Sequence, residues 1–521
     1  MNGTILTRKV TIEELQTALN ALTQSAPAGP GWSGTFDIPD ILGTTPFNVR
    51  LMGAKGDGVS DDTAVFRSAL SAGLFYVPSG NYLITDYSIM MNAGWYGPGQ
   101  FICKGVQLPA GPISTYCTLP VPSLFPTVAI ALQYAKLKQF QGFSAFCSIQ
   151  ISPGTYGSPG TPLSQLDMSI PAGAIHLEVV GTTSNANDVV LYFDCTNNQS
   201  GFHLSQDALY KIANLTIVGA NGWTSHGVWN SGCYGGAIWV EGSGSRICNV
   251  NNVKIQKFYY GIRANYGGYI NVGADCVVDE AGDVGVHAAF GSCINCQGMT
   301  STNAADTAAS LGFGFMAEVN SALHAESVTS SGHARSGIVS QTRSGLWAQN
   351  SRVSNCGDNG IYANGGEIDA GGAQATDITG VGFFATYGGS MGCNSAVATR
   401  CGGGGFFARW SGSIDVTVAV AQSCTGSGIG CRDNGTITGN GAKANDTTGN
   451  GFYAGYGGSM YGLNYSSNSN TGYGFSAEYN GVMSIPSWGS DGKNTQGQTS
   501  PTIDGTSNVG SGNFGAVITI Y

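Results

Sequence analysis

Glu367, Asp369 and Asp415 are the carboxylates whose spacing could do chemistry together. Hydrolysis of a glycosidic bond needs two carboxyl groups, one protonated and one ionised, roughly 5 to 9.5 Å apart. Asp369 and Asp415 stand two units apart in a pattern that returns every 23 residues. If each unit is one rung of a ladder, their backbones lie about 10 Å apart. Gly392, at the same place in the unit between them, leaves a gap. Trp347 and His324 precede Asp369 by one and two rungs as a sugar platform, and Trp410 with Arg409 supplies another. The competing reading is that all of these are solvated surface residues. Further acidic candidates are Glu318, Glu326 and the run Asp275, Asp279, Glu280 and Asp283. Trp223, Trp229, Trp239 and Glu241 make an aromatic and acidic patch, and Asp306 lies in the longest unit.

The elements that must position these residues are legible from the repeat. A glycine followed by an apolar residue and, two later, a small one recurs at Gly261, Gly285, Gly314, Gly337, Gly360, Gly382, Gly405, Gly428, Gly451 and Gly474. Alternation of period two marks a strand with one buried face. A second alternating strand follows a Gly-rich turn, with Ile270, Ile294, Leu323, Leu346, Ile368, Met391, Ile414, Ile437, Met460 and Met483 facing in. Strands this short, in units this regular, bury their apolar face only against copies of themselves. The spacing therefore predicts an all-β chain, a parallel β-solenoid over Gly261–Ile485, with glycines at corners that need positive φ. The outward column Tyr362, Phe384, Phe407 and Tyr453 is expected to be an exposed aromatic stripe suited to a subunit interface.

Composition narrows the class. Of 521 residues 81 are glycine and only 10% are charged, yet 42% are hydrophobic, so the chain has a core to bury. A net charge of −10 without a basic stripe argues against nucleic acid, and no apolar run is long enough to enter a membrane. The N-terminus lacks the apolar core of a secretion signal. Fourteen cysteines at scattered spacing, the pair Cys293 and Cys296 included, read as buried thiols. Neither a metal nor a cofactor is expected.

Ahead of the repeat, Thr11 and Glu14 form a capping box, and Ile12, Leu15, Leu19 and Leu22 give a short helix able to self-associate. The stretches "GAKGDGVSDDTAVF" and "YVPSGNYLIT" then resemble the opening of pectate-lyase-like right-handed β-helix proteins, bacteriophage tailspikes in particular. Within that opening Asp57, Asp61 and Asp62 read as turn and helix-cap residues. "TVAIALQYAKLKQF", from Thr127 to Phe140, looks like a second capping helix. The expected organisation is residues 1–30 for attachment and oligomerisation, 31–126 for the first capping segment, 127–485 for the main β-helix and 486–521 for a tail.

The resemblance implies a homotrimeric phage tail protein, joined to another tail or baseplate protein by its N-terminus. Such a protein is made in the host cytoplasm and acts outside the host cell, binding surface polysaccharide (capsule or lipopolysaccharide) and hydrolysing it. Two alternatives stay open: a β-helical virion protein that binds without cleaving, and a polysaccharide lyase or epimerase. The residues that mark polygalacturonases, calcium-dependent lyases and RTX repeats are absent from the sequence.

Overall fold

A computed structural model describes residues 47–70, 75–138, 145–169, 177–205, 208–225, 228–230, 232–305, 311–485, 488–489, 499–500, 509–511 and 516–519. The helix expected around Thr11–Leu22, its role in attachment, and Asp306 lie outside these residues. The chain divides into two compact units, Met1–Ile151 and Ser152–Tyr521. The boundary read from the sequence at 126/127 precedes that division.

In the first unit, Phe47–Asn48, Phe75–Tyr76 and Trp95–Tyr96 pair in parallel, as do Asp57–Asp61, Asn81–Leu83 and Gln100–Cys103. Helix α1 (Thr63–Ala69) caps these rungs. Its Phe66 meets Tyr82, Trp95 and Phe101 edge-on at 5.4, 5.2 and 5.1 Å, the arrangement ring quadrupoles favour. The three aspartates are structural, as expected. Asp57 accepts from the Val59 and Ser60 amides, which with the Ser60 hydroxyl hold its carboxyl down to about 2. Asp62 sits at the N-cap, but its carboxylate bonds the Lys55 and Gly56 amides of the preceding turn and not the helix. Helix α2 (Val128–Leu137) is the second capping helix, with the Thr127 hydroxyl accepting from the Ile130 amide.

In the second unit every repeat is one coil of a parallel β-helix. The anchored strands form a 14-stranded sheet from Leu166–Asp167 to Thr499–Ser500. The two inward columns are buried as predicted, and like stacks on like: Phe383 on Phe406 at 4.7 Å, Phe452 on Phe475 at 5.0 Å. Each coil has a third strand, such as Gln374–Thr376 and Val397–Thr399, where the sequence left two or three strands per unit open. Its inward residues are mostly small, among them Ser301, Ser330, Ala375, Ala398, Ala421 and Ala444, with Val278 and Val353 the larger ones, and all are buried.

This third strand corrects the reading of the anchor glycines. None of Gly261, Gly285, Gly314, Gly337, Gly360, Gly382, Gly405, Gly428 and Gly451 has positive φ. They are glycines because the third strand comes so close. A Cβ on Gly405 would stand 2.5 Å from the Ala421 Cβ, and one on Gly451 would stand 2.1 Å from the Ser467 hydroxyl. The left-handed corners are held mostly by other residues. One such corner falls at Tyr266, Phe290, Val319, Thr342, Gly365, Tyr387, Trp410, Asp433, Tyr456 and Tyr479, with φ between 46° and 69°. At that corner the amide after the turn points along the axis, as in Arg343 N–H to the Gly365 carbonyl at 2.8 Å.

Candidate functional site

The second-strand outward column has the register read from the sequence. His324, Trp347, Asp369, Gly392 and Asp415 are paired on successive rungs. Ile368 and Ile414 point in, while Glu367, Asp369 and Asp415 are exposed. Both aspartates cap the turns that follow them. Asp369 accepts from the Gly371 amide at 3.2 Å and the Gln349 side chain at 2.6 Å. Asp415 accepts from the Thr417 amide and hydroxyl at 2.9 and 2.7 Å. His324 stacks on Trp347 at 4.3 Å and lies 3.6 Å from Glu326. Arg409 is taken up by Asp433 at 2.6 Å and by the face of Trp410 at 3.8 Å, and Trp410 in turn stacks on Tyr387. The column is an open, exposed surface whose aspartates hold local turns.

The expected aromatic stripe differs from its reading. Tyr362, Phe384, Phe407 and Tyr453 are half-buried: Tyr362 stacks over Phe384 at 5.5 Å, Phe384 meets Phe407 tilted at 6.3 Å, and the Phe407 ring folds against Gly430.

Followed towards the N-terminus, that same first-strand column becomes polar. Trp239, Arg263 and His287 occupy successive rungs, with His203 before and Met316 after. The neighbouring outward positions carry Glu241 paired with Asn265, and farther on Glu318. His287 is 3% exposed, and its Nε2 lies 3.3 Å from the Glu318 carboxylate. Gln341 donates to the other Glu318 oxygen at 3.0 Å. The Arg263 guanidinium lies over the rings of Tyr260 at 4.1 Å and Trp239 at 4.7 Å. His203 reaches Glu241 at 3.6 Å.

Two features separate this cluster from ordinary surface. First, it carries buried polar atoms without hydrogen-bond partners: Trp239 Nε1, Arg263 Nε, Asn265 Oδ1 and both ring nitrogens of His287. Buried polar groups are nearly always satisfied, so five orphans on three adjacent rungs mark a place for a polar ligand. Second, its protonation states are set by the site. Burial pushes the His287 pKa down, against the pull of Glu318. The hydrogen bond from His287, more than the opposing desolvation, holds the Glu318 carboxyl below its ordinary value. At neutral pH this is an ionised carboxylate 3.3 Å from Nε2 of a neutral imidazole, with Nδ1 facing no partner. Tyr260 closes the group; burial lifts its hydroxyl to about 12, with Arg263, Asp283 and Glu318 near enough to act on it.

The sequence contained part of this cluster. Trp239, Glu241, Asp283 and Glu318 were candidates, but Arg263, His287 and Tyr260 were missed. The signal was the outward column itself, extended back from Tyr362 through Met316 to His287 and Arg263. Glu326, considered with Glu318, lies beyond the second strand beside His324, and the two acids do not meet. No cluster of three or more metal-ligating side chains is present among the described residues.

Comparison with known proteins bears on the fold. Residues 46–95 match the family described as rhamnogalacturonase A/epimerase, pectate lyase-like. One curated relative, a non-secreted LysM effector of Penicillium expansum, is 28% identical over 188 residues, 33% of this chain. The match spans only 14% of that protein's length. Two solved structures cover most of the chain. The catalytic unit of an α-1,3-glucanase from Streptomyces thermodiastaticus is 11% identical over 87% of this chain and 68% of its own, with a TM-score of 0.29. The A-module of a mannuronan C-5 epimerase from Azotobacter vinelandii is 12% identical over 91% of this chain and 97% of its own, with a TM-score of 0.20. At these values neither speaks to chemistry. Residues 46–95 are thus similar to the opening of a pectate-lyase-like family, and the coils behind them form a parallel β-helix.

Proposed function

We propose that this protein binds a bacterial surface polysaccharide and hydrolyses it at the first-strand cluster around His287 and Glu318, as a tailspike-like protein of a phage virion. The observation that carries the reading is the group of orphaned polar atoms on adjacent rungs, beside a neutral histidine oriented by an ionised carboxylate. A sugar offers hydroxyls to those atoms and an apolar face to Trp239 and Tyr260. In the reaction, a water oxygen attacks the anomeric carbon as its proton passes to His287 Nδ1. The bond to the leaving oxygen breaks, and that oxygen takes a proton from a second carboxyl group, Asp283 or Glu241. Glu318 does not touch the substrate; it fixes the tautomer and carries the charge that forms on the imidazole.

A second reading places cleavage at Asp369 and Asp415, with Glu367 beside them and Trp347, His324, Trp410 and Arg409 holding the glycan. The two-rung gap across Gly392 favours it. Size-exclusion chromatography of capsular polysaccharides and lipopolysaccharides incubated with the protein decides between them. Wild type should shorten at least one. His287→Asn and Glu318→Gln should slow that by about 10²-fold or more, while Asp369→Asn, Asp415→Asn and a distant control, Asp188→Asn, should not. The reverse pattern establishes the second reading. Binding of a polysaccharide that is never shortened leaves a receptor-binding protein.

A further inference from the structure

The corner between the first and second strands needs a residue with positive φ, and nothing more. Gly365 and Asp433 meet that need at little cost. Six other rungs place a large aromatic there: Tyr266, Phe290, Tyr387, Trp410, Tyr456 and Tyr479, with φ between 46° and 51°. Bulky side chains resist this conformation, and strain of this kind concentrates where a protein binds something. The six rings are exposed, and they stack in pairs at 5.1, 4.7 and 4.6 Å.

One pair opens onto a slot. Tyr387 is 60% exposed, more than any other aromatic among the described residues. One face of its ring lies against Trp410. The opposite face looks towards the preceding rung, where the corner residue is Gly365. A Cβ built on Gly365 would meet only the Tyr387 carbonyl at 3.3 Å and the Thr342 amide at 4.0 Å, so the corner residue of that rung puts no side chain against the ring as Trp410 does on its other face. The slot runs from Tyr387 to Thr342, two rungs or about 10 Å between backbones, enough for one saturated ring stacked on the tyrosine. Exposed Glu367 follows Gly365 by two residues, and Trp347 lies one rung before Glu367 and Asp369 on the adjoining face.

We propose that the Tyr387–Gly365 slot is a glycan-holding subsite, separate from the cleavage cluster, which takes one pyranose of the polysaccharide. The sugar's C–H face lies on Tyr387 and its hydroxyls donate to Glu367. This rests on the reading of the protein as polysaccharide-binding. It also gives the strained aromatic a purpose that ring-on-ring stacking alone does not need.

The test is retention on immobilised capsular polysaccharides and lipopolysaccharides, measured with Glu318→Gln protein so that the glycan survives, together with thermal unfolding. Asn tolerates positive φ, so Tyr387→Asn removes the ring and Gly365→Asn fills the slot, both without new backbone strain. Each should weaken retention on the order of tenfold, with an unfolding midpoint equal to the parent's or, for Tyr387→Asn, higher. Unchanged retention in both variants overturns the subsite and leaves the cleavage reading intact. A lowered midpoint with unchanged retention makes the ladder a structural staple. If the parent itself holds none of the glycans, the polysaccharide reading falls and the subsite with it.

Discussion

His287 is the residue on which the chemistry turns, and its protonation has a readable consequence. Its folded pKa lies below the ordinary 6.5 because burial disfavours the charged form. The base is therefore active at neutral pH, and kcat/KM should fall only as pH drops below 6.5, with the limb displaced upward in Gln341→Ala if that change admits water to the pair. A limb centred at or above pH 6.5 would exclude the buried His287 as the base. His333 makes the parallel case for stability. It is 1% exposed, its Nδ1 accepts from the Ala304 amide and its Nε2 bonds the Ser301 carbonyl at 3.1 Å, and burial holds its pKa to about 4. The unfolded chain takes up a proton near pH 6.5 and the folded chain does not until about 4, so stability is lost as pH falls through that window. The loss amounts to about 3 kcal/mol by pH 4. Unfolding midpoints measured from pH 7 to 4.5 should fall in wild type and fall less in His333→Gln. Neither histidine was legible in the sequence as more than a scarce residue type. What singles them out is which face of the coil each occupies, and for His287 that followed from a column the repeat already defined.

At the scale of the element, the repeat gave the coil but misassigned its glycines. Sequence shows that small residues recur; it does not distinguish a corner from a place where two backbones nearly touch. The third strand, which the repeat left open, could not be placed for the same reason, since Ser301, Ala375 and Ala421 carry no apolar signal and are small to make room for the anchors. The two kinds of glycine should respond differently to one methyl group. At Gly405 it would press within 2.5 Å of Ala421 and 2.6 Å of the Gly428 carbonyl. At Gly388, where φ is +76°, it would meet nothing within 4 Å. Gly405→Ala should cost about 1 to 3 kcal/mol through overpacking, and Gly388→Ala about 1 kcal/mol through backbone strain. A smaller loss for Gly405→Ala than for Gly388→Ala in denaturant titrations would undo this account of the anchors. The inward columns, by contrast, were fully legible, because apolar period-two alternation admits one buried face.

For the whole molecule, the proposal extends to assembly. A stripe of half-buried rings from Tyr362 to Tyr453 leaves apolar edge in water, and a homotrimer would cover it. Light scattering of the full chain at micromolar concentration should give three times the 53.5 kDa chain mass, and a monomeric mass would refute the trimer. The virion setting and the tail partner follow from the resemblance of the opening segment and stand or fall with the host-surface glycan. The measurement that bears most directly on the central claim is a crystal structure of the Glu318→Gln protein soaked with the oligosaccharide that wild type releases. Sugar density over Trp239, Arg263 and His287, with a hydroxyl or water against His287 Nδ1, is the result expected; density confined to the face of Trp347, Asp369 and Asp415 would contradict it.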